Sequence, residues 1–287
     1  MGLEPRTLAP PERREAEVGE GGPLGAYRTL SVIDVAGPPD PRPGQFYMLA
    51  AGQGWGGGSG ERPYLPRAFS FARVRPDPSG SVELTFLLED IGPGTHRLGE
   101  LRAGDQLTLL GPLGVGFRPP AEGTRPLLVG GGIGVAPLLC LDDELLQTGG
   151  DGLEVMLGFR SSAYARVADL FTLREDSEAE PLIVTDDGSA GRRGLVTEPL
   201  RESLDRDPAA SVYACGPPAM LETVRKLCAA RSIPAQLALE SGMACGFGAC
   251  FGCVAPTREG YVRICVDGPV LDAALLESAL LDGAGHS

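Results

Sequence analysis

The sequence predicts a multidomain chain that joins an antiparallel β-barrel, a doubly wound parallel α/β domain and a small C-terminal cysteine-rich domain. Three observations lead to this prediction. Short alternating runs separated by Gly/Pro clusters fill residues 27–117, strands alternate with helices after Pro119, and four of the seven cysteines lie within residues 245–265. A length of 287 residues is enough for two or three domains.

Domain boundaries are predicted where the sequence pattern changes. Residues 1–22 are rich in Pro, Glu and Arg and have no periodicity, which is typical of a disordered leader. The β-barrel is predicted over 23–118, the α/β domain over 119–238, and the cysteine-rich domain with its tail over 239–287. The Leu/Ala-rich tail after Val270 is predicted to be a helix that covers the core, with a partner contact as the alternative.

The barrel prediction depends on short runs with the alternation of half-buried strands, each bounded by Gly and Pro. The runs are Thr29–Val35, Gln45–Ala50, Arg67–Val74, Ser81–Leu88 and Gln106–Leu110. The Gly-rich stretch 52–60 is predicted to be a mobile loop. Strands of this length, separated by turn signals, are typical of a small barrel.

The α/β prediction depends on strands that alternate with helices after Pro119, as in a doubly wound sheet. The predicted strands are Pro126–Val129, Leu153–Phe159, Pro181–Thr185, Ser211–Cys215 and Gln236–Glu240. The predicted helices are Val135–Gln147, Asp169–Arg174, Leu195–Leu204 and Pro217–Arg231. The carboxyl ends of such strands are where open α/β sheets bind ligands.

Composition excludes several classes of function. The only histidines are His96 and His286, which argues against a His-based catalytic relay or a site with several His ligands. A net charge of −13 lacks the basic footprint that nucleic acid requires. No run reaches the length of a membrane span, and the charged N-terminus lacks the apolar segment of a signal peptide. A cytoplasmic protein with reduced or metal-bound cysteines is therefore expected.

The cysteine pattern is the strongest chemical signal in the sequence. Cys245, Cys250, Cys253 and Cys265 have the spacing C-x4-C-x2-C-x11-C, which is the plant-type [2Fe–2S] spacing. The small residues of the segment 246–249 allow backbone N–H groups to approach the sulfur atoms. The alternative is a structural zinc module, although no histidine lies nearby. Cys140 and Cys228 have apolar neighbours on helical stretches and are predicted to be core residues.

Two strand–turn–helix segments indicate a nucleotide site. In the first, Leu127-Leu128-Val129 leads into Gly130-Gly131-Gly132-Ile133-Gly134, where a helix N-terminus and close backbone approach favour a phosphate. The segment is not a clean G-x-G-x-x-G, because Pro137 takes the third glycine position. The alternative is tight strand–helix packing alone. The second segment, Tyr213 to Met220, gives the phosphate interpretation more weight, because both turns lie at carboxyl ends of strands.

A short β segment, Arg67-Ala68-Phe69-Ser70, has the groups that hold a flavin nucleotide. An Arg can clamp a pyrophosphate, an aromatic ring can pack beside a flavin, and a Ser hydroxyl can bond a ring nitrogen. Ordinary strand alternation explains the segment equally well. Gly94 and Thr95, after a later strand, offer either N–H groups to a phosphate or only a turn.

Together these motifs resemble the ferredoxin–NADP reductase superfamily, in which a flavin barrel precedes a nicotinamide-binding domain that ends in C-G-P-x-x-M. The tail segments 239–253 and 263–270 are similar to the electron-transfer subunits of B-type, NAD-dependent dihydroorotate dehydrogenases. Thr185-Asp186-Asp187-Gly188-Ser189 agrees with that family. The resemblance covers about residues 25–270, and the cysteine motif is its most specific part.

The resemblance implies a role for each matching residue. The FAD segments are Arg67, Ala68, Phe69 and Ser70, then Leu87, Leu88 and Glu89, then Gly94 and Thr95. The implied NAD-binding residues are Gly130, Gly131, Gly132, Ile133, Gly134, Cys215, Gly216 and Pro217, and the implied cluster ligands are Cys245, Cys250, Cys253 and Cys265. Ser70 is expected to bond the flavin, and Cys215 to border the nicotinamide. The family usually has Arg where this chain has Glu89, so any FAD contact there is expected through the backbone.

The function that the resemblance implies is electron transfer in pyrimidine biosynthesis. Electrons pass from the FMN of a catalytic subunit through the [2Fe–2S] cluster and FAD to NAD⁺, with two copies of each subunit. The expectation of NAD rather than NADP rests on the family alone. Arg160, Arg192 and Arg193 could in principle meet a 2′-phosphate, so kinetics with both cofactors must decide. One alternative is a reductase subunit of a sulfite reductase or hydrogenase complex. The other is a zinc-stabilised binding protein without redox chemistry.

Overall fold

The N-terminal part of the chain is a closed antiparallel barrel in the computed structural model, which describes residues 12–38, 40–57, 62–77, 80–148, 152–172 and 180–280. Its strands are β1 (Arg13–Val18), β2 (Pro23–Leu24), β3 (Tyr27–Asp34), β4 (Phe46–Ala51), β5 (Arg67–Pro76), β6 (Val82–Leu88) and β7 (Gln106–Leu113). They run in the order β1-β7-β4-β5-β6-β3-β2, and a second pairing of β1 with β3 closes six of them into a barrel. The predicted barrel is confirmed. The predicted loop 52–60 lies only partly within the described residues.

The first barrel strand corrects the prediction of a disordered leader over 1–22. Residues Arg13–Val18 form β1 and pair with β7, and Ala16 and Val18 are buried in the barrel core. The segment reads RREAEV, in which Ala16 and Val18 alternate with charged residues as in a strand with one exposed face. The high share of charged residues made this alternation hard to recognise. Residues 1–11 lie outside the described residues.

A buried ion pair fixes this strand in place. Arg14 donates from Nε and Nη2 to the carboxylate of Asp34 on β3, at distances down to 2.6 Å. Its Nη2 also donates to the carbonyl of Gly111 on β7 at 2.8 Å. Because both charged side chains are buried, the pair ties three strands together at the point where the barrel closes.

Breaking this pair is expected to destabilise the barrel strongly. An Asp34→Ala change leaves the Arg14 guanidinium buried without its carboxylate, which typically costs about 3–5 kcal/mol. The midpoint of thermal unfolding should fall by at least about 6 °C. It is measured from the rise in fluorescence as FAD is released. Arg192→Ala, which breaks an exposed pair with Glu202, is the matched control and should change the midpoint little. Equal effects of the two changes would show that the buried pair does not hold the barrel.

The second sheet confirms the predicted doubly wound domain. Its parallel strands are β8 (Arg125–Gly131), β9 (Glu154–Phe159), β10 (Leu182–Thr185), β11 (Arg192–Arg193), β12 (Ala210–Cys215) and β13 (Ala235–Ala238). A last, antiparallel strand is β16 (Val270–Asp272), and the order is β11-β10-β9-β8-β12-β13-β16. The chain moves outward from β8 to β9 and then returns to β12 on the other side, so the topological switch point lies between β8 and β12.

Helices connect the strands in the barrel, in the α/β domain and in the C-terminal segment. They are α1 (Pro93–Gly99) in the barrel, then α2 (Val135–Gln147), α3 (Ser162–Ala165), α4 (Asp169–Thr172), α5 (Thr197–Arg206) and α6 (Pro218–Ala229), followed by α7 (Ile264–Asp267). The predicted helix Asp169–Arg174 extends past the described residues at its end. No helix in the described part of the chain is long and apolar enough to cross a membrane.

The barrel and the α/β domain are joined directly. Helix α2 packs on strand β5. On β5, Arg73 donates from Nη2 to the carbonyl of Leu170 at 2.6 Å. The N–H of Ala26 donates to the carbonyl of Ala163 at 2.9 Å. The strand that carries Arg67 to Ser70 at its start therefore contacts the α/β domain further along.

The C-terminal segment returns to the α/β domain. After the hairpin of β14 (Val254–Thr257) and β15 (Gly260–Arg263), β16 pairs with β13. The N–H of Ala279 then donates to the carboxylate of Glu222 on α6 at 2.8 Å, and Leu276 is fully buried. The tail thus packs on the core as predicted, but as a strand and a 3-10 turn rather than a helix. Residues Val270–Asp272 thus add a strand to the α/β sheet. Residues 281–287 lie outside the described residues.

Candidate functional site

The four cysteines of the motif come together at one end of the α/β domain. Cys245, Cys250 and Cys253 lie on the irregular loop that follows β13, and Cys265 lies on α7. The thiols of Cys245 and Cys250 lie within hydrogen-bonding reach of each other, and so do those of Cys253 and Cys265. Cys253 and Cys265 are buried and Cys250 is exposed, so the group extends from the core to the surface.

Backbone N–H groups surround these sulfur atoms. Those of Phe247, Ala249 and Cys250 point at the sulfur of Cys245, and that of Gly248 points at Cys265. The N–H of Gly252 lies 3.4 Å from the sulfur of Cys250. Such donors stabilise thiolate and sulfide charge. The loop is therefore built to hold negatively charged sulfur.

The pKa values of two of the thiols reflect this setting. Burial opposes ionisation of Cys245, but the N–H donors of Cys250 and Phe247 outweigh it and lower its pKa to about 7. Burial, with the thiol of Cys253 beside it, raises the pKa of Cys265 to about 12. Burial thus disfavours the thiolate of Cys265, and a bound metal ion would offset that cost.

Glycines allow the loop to pack closely. Gly246 has a φ of +78°, and a Cβ there would lie 2.5 Å from Cγ of Met48 on barrel strand β4. Gly248 has a φ of +87°, and a Cβ there would lie 2.6 Å from Cγ2 of Val266. Both conformations suit glycine. The loop can therefore lie against the barrel on one side and against α7 on the other.

The pairing of the cysteines fits a [2Fe–2S] cluster. A [2Fe–2S] cluster needs only two thiolates on each iron, which matches the pairs Cys245/Cys250 and Cys253/Cys265.

The predicted flavin segments also come together. Arg67 begins β5, and a Cβ on Gly94 of α1 would lie 2.7 Å from Nε of Arg67. The Arg67 guanidinium therefore passes directly over the start of α1. There the Thr95 hydroxyl accepts the N–H groups of Ile91 and Gly92, at 3.0 and 3.1 Å. These bonds fix the turn, and the guanidinium held over it is a group that suits a pyrophosphate.

The remaining flavin residues line the same region. The Ser70 hydroxyl is half-buried and makes no hydrogen bond to the residues that the structure describes, so it is available to a ligand. Ala68 is exposed and Phe69 is half-buried. Leu87 and Leu88 are buried in the barrel, so a ligand can meet them only at their backbone.

Glu89 follows these leucines and lies near Tyr27, on the first long strand of the barrel. Burial, and then the Glu89 charge, raise the pKa of Tyr27, which stays a neutral phenol. The charge of Glu89 thus acts on Tyr27, and the role of Glu89 toward a flavin nucleotide stays a prediction.

The two glycine-rich turns of the α/β domain touch each other at the switch point. Gly130 and Cys215 are partners on the adjacent strands β8 and β12. A Cβ on Gly134 would lie 2.6 Å from the carbonyl of Cys215, and one on Gly216 would lie 2.9 Å from the backbone of Gly131. The side chain of Met220 packs against both Gly131 and Gly216, and together the turns line a cleft at the switch point that suits a dinucleotide.

Cys215 is a neutral thiol at the edge of this cleft. Burial, and then the nearby carboxylate of Glu240, raise its pKa well above the ordinary value. Glu240 was not predicted as a site residue. It follows β13, its side chain is exposed, and desolvation nevertheless raises its pKa, as expected for a carboxylate in a cleft. Its position directly after a parallel strand is the signal that would have found it.

The three arginines considered for a 2′-phosphate differ in their contacts. Arg192 is engaged by the carboxylates of Glu202 and Glu198, at 2.8 and 3.3 Å. The Arg160 guanidinium lies over the ring of Tyr164, at 5.2 Å. Arg193 is exposed. The carboxylates that hold Arg192 oppose a phosphate at that side chain, and the preference for NAD over NADP stays a prediction.

The comparisons with known proteins agree with this arrangement. Residues 128–226 match the oxidoreductase NAD-binding domain, and residues 240–277 match the iron–sulfur cluster binding domain of dihydroorotate dehydrogenase B. The NADH-dependent reduced ferredoxin–NADP oxidoreductase, described for flavin-based electron bifurcation, superposes with a TM-score of 0.74 at 25% identity. The match covers 92% of this chain and 90% of that one. A barrel of this kind, a nicotinamide cleft and a cysteine loop together define an oxidoreductase of the ferredoxin-reductase class.

Sequence relatives identify the family more narrowly. The electron transfer subunit of dihydroorotate dehydrogenase B (NAD(+)) from Caldanaerobacter subterraneus subsp. tengcongensis is 36% identical, over 80% of this chain and 85% of that protein. The corresponding subunit from Geobacillus sp. is 39% identical, over 74% and 79%. The chain belongs to the family of electron-transfer subunits of dihydroorotate dehydrogenase B. The matched domains confirm the predicted iron–sulfur and NAD cofactors, and the fold agrees with FAD.

Proposed function

We propose that this chain takes electrons from a catalytic subunit and passes them to NAD⁺. The catalytic subunit oxidises dihydroorotate, as a step of pyrimidine biosynthesis in the cytoplasm. The chemistry supplied by the bound groups is conversion between carriers: an iron–sulfur cluster exchanges single electrons, nicotinamide exchanges a hydride, and flavin does both. The protein's own residues bind these groups and set their order. Proton removal from dihydroorotate belongs to the partner, which agrees with the near-absence of histidine.

Each group of residues has a separate task in this proposal. Cys245, Cys250, Cys253 and Cys265 ligate the cluster. The FAD pyrophosphate is held by Arg67, Gly94 and Thr95. The Ser70 hydroxyl donates a hydrogen bond to the flavin ring. The backbone of 130–134 and of 215–217 holds NAD at the switch point.

One observation supports this order of carriers more than any other. The cysteine loop contacts β4, which pairs with β5, the strand that carries Arg67 to Ser70. Gly246 lies against Met48 on β4, and Met48 is the register partner of Ala68 on β5. The loop that holds the cluster is thus separated from the predicted flavin segment by one strand. A short separation of this kind is what electron transfer between two bound carriers requires.

The partner is proposed to be an FMN-containing catalytic subunit, with two copies of each chain in the complex. An exposed apolar patch on and beside the cysteine loop supports a docking face there. The patch consists of Phe247, Phe251, Val254 and Tyr261, with exposed fractions between 41% and 80%. Exposed aromatic side chains of this kind are enriched at protein interfaces. Docking at this patch brings the partner to the exposed cysteine, Cys250.

Charge introduced into this patch is expected to disrupt the complex. Tyr261→Asp places a carboxylate in a surface that must be desolvated, and removal of an aromatic anchor typically costs about 2 kcal/mol or more of binding free energy. The Kd for the catalytic subunit should rise about 30-fold or more, as measured by titration of one purified subunit with the other. Leu195→Asp is the control, because Leu195 is 62% exposed on the α/β domain, away from the loop. Equal affinities of both variants would place the interface elsewhere.

The proposed function is tested by spectra and by reconstitution. The anaerobically purified chain should show flavin and [2Fe–2S] absorption with about one cluster per chain. Co-expression with the FMN subunit should yield a complex that reduces NAD⁺ with dihydroorotate. A chain without iron would support the zinc alternative. A chain with both cofactors that receives electrons only from a sulfite reductase or hydrogenase partner would overturn the proposed substrate.

A further inference from the structure

The side chain of Arg263 joins the two separate parts of the cysteine site. Arg263 ends β15, two residues before Cys265. Its Nη1 donates to the carbonyl of Gly248 at 3.1 Å, in the middle of the loop that carries the other three cysteines. Backbone bonds join the Cys265 segment to the end of the loop at Cys253, whereas the Arg263 side chain reaches the middle of the loop.

The peptide group that Arg263 contacts is itself part of the sulfur site. The carbonyl of Gly248 accepts from Arg263, and the N–H of the same peptide unit, that of Ala249, points at the sulfur of Cys245. A hydrogen bond from a cation polarises the peptide and strengthens its N–H as a donor. The charge of Arg263 therefore acts on Cys245 through a single peptide group.

Arg263 is also held in place by its other neighbours. Its guanidinium carbon lies 5.2 Å from the centre of the Phe251 ring, between Cys250 and Cys253. Phe251 has a φ of 56°, in the left-handed region that a bulky residue seldom occupies. The backbone N–H of Arg263 donates to Asp267 Oδ2 at 2.8 Å, and Asp267 Oδ2 lies 4.0 Å from Nε. The side chain is thus clamped between the loop and the end of α7.

Within the segment 239–270, Arg263 is the basic side chain that contacts the cysteine loop. The basic residues in the segment 239–270 are Arg258 and Arg263. Arg258 is exposed on the hairpin turn, where water screens its charge. Arg263 is half-buried and directed at the loop, with Asp267 as its neighbouring anion.

We propose that Arg263 is a positioning residue for the iron–sulfur cluster: it latches the loop 245–253 onto the segment that carries Cys265, and its charge raises the reduction potential of the cluster. The inference rests on the proposed function, because it assumes that the four cysteines hold a [2Fe–2S] cluster. The sign follows from charge. A cluster that gains one electron becomes more negative, and a nearby cation stabilises that reduced form more than the oxidised one.

The test uses the full chain with FAD bound and compares Arg263→Met, Arg263→Lys and Arg258→Met. The measurements are the rate at which a chelator removes iron and the midpoint potential of the cluster from an EPR-monitored titration. Arg263→Met should lose iron about tenfold faster, as for loss of an outer contact to a metal site, and should titrate at a lower potential. Arg263→Lys keeps the charge without the planar fork, so its potential should stay near that of wild type while iron loss accelerates. Arg258→Met should match wild type in both.

Each outcome has a defined meaning. FAD content reports whether a variant is folded. A folded Arg263→Met protein that holds no iron supports the role of Arg263 in holding the loop. The reduction potential is then measured on Arg263→Lys. Wild-type iron loss and potential in Arg263→Met would overturn the inference, and so would wild-type iron loss in Arg263→Lys if Arg263→Met does not fold. A potential lowered equally in Arg258→Met would assign the effect to net charge alone. A wild-type chain without a cluster would instead contradict the proposed function.

Discussion

Replacement of Cys250 by serine is expected to abolish electron transfer to NAD⁺ in the complex while leaving the flavin half of the chain active. A serine hydroxyl is a much poorer ligand for iron than a thiolate, and Cys250 is the exposed member of its pair. Iron and sulfide should fall to a small fraction of the wild-type content. Dihydroorotate-dependent reduction of NAD⁺ should then fall by more than about 100-fold. This exceeds the usual effect of removing a side chain that only hydrogen-bonds a metal ligand.

A second activity separates loss of the cluster from loss of the fold. NADH-dependent reduction of ferricyanide by the isolated chain requires NAD and FAD but not the cysteines, so Cys250→Ser should keep most of it. Cys228→Ala is the matched control, because Cys228 is a buried cysteine of the α/β core outside the motif, and it should retain both activities. Full iron and sulfide content in Cys250→Ser would contradict the ligand assignment.

The cysteine and glycine motifs were predictable because their function depends on local spacing. A C-x4-C-x2-C loop must bring its sulfur atoms together over a few residues, and the glycines between them permit the positive φ angles found at Gly246 and Gly248. The same holds for the turn from Gly130 to Gly134, where a strand leads directly into a helix. In such segments, sequence neighbours are also neighbours in the site.

Contacts between distant segments were not predictable in this way. The packing of Gly246 on Met48 joins residues about two hundred positions apart, and no periodicity within either segment indicates it. The strand Arg13–Val18 was missed because its exposed face is charged, and its pairing with β7 decides its conformation. The tail forms a strand because β13 offers it an open edge, although its composition favours a helix. Tertiary context therefore overrode local preference in each case.

The contact between the two turns of the α/β domain leads to the second large effect. Gly134 has a φ of −61°, which any residue adopts, so an alanine there meets no backbone strain of its own. Its Cβ would nevertheless lie 2.6 Å from the carbonyl of Cys215 and from the N–H nitrogen of Gly216. Both are backbone atoms and cannot turn aside as a side chain can. Gly134→Ala must therefore push the turns apart where the dinucleotide is proposed to bind.

Overpacking of this kind typically costs about 1–3 kcal/mol. If the cost falls on the bound state, the Kd for NADH should rise by about 5-fold to 150-fold, as measured by quenching of the flavin fluorescence. FAD and iron content should stay at the wild-type level, because neither site includes this turn. Gly22→Ala is the matched control, since a Cβ at Gly22 meets no atom within 4 Å. Unchanged NADH affinity in Gly134→Ala would mean that the dinucleotide does not depend on the cleft between these turns, and the NAD site would have to lie elsewhere on the sheet.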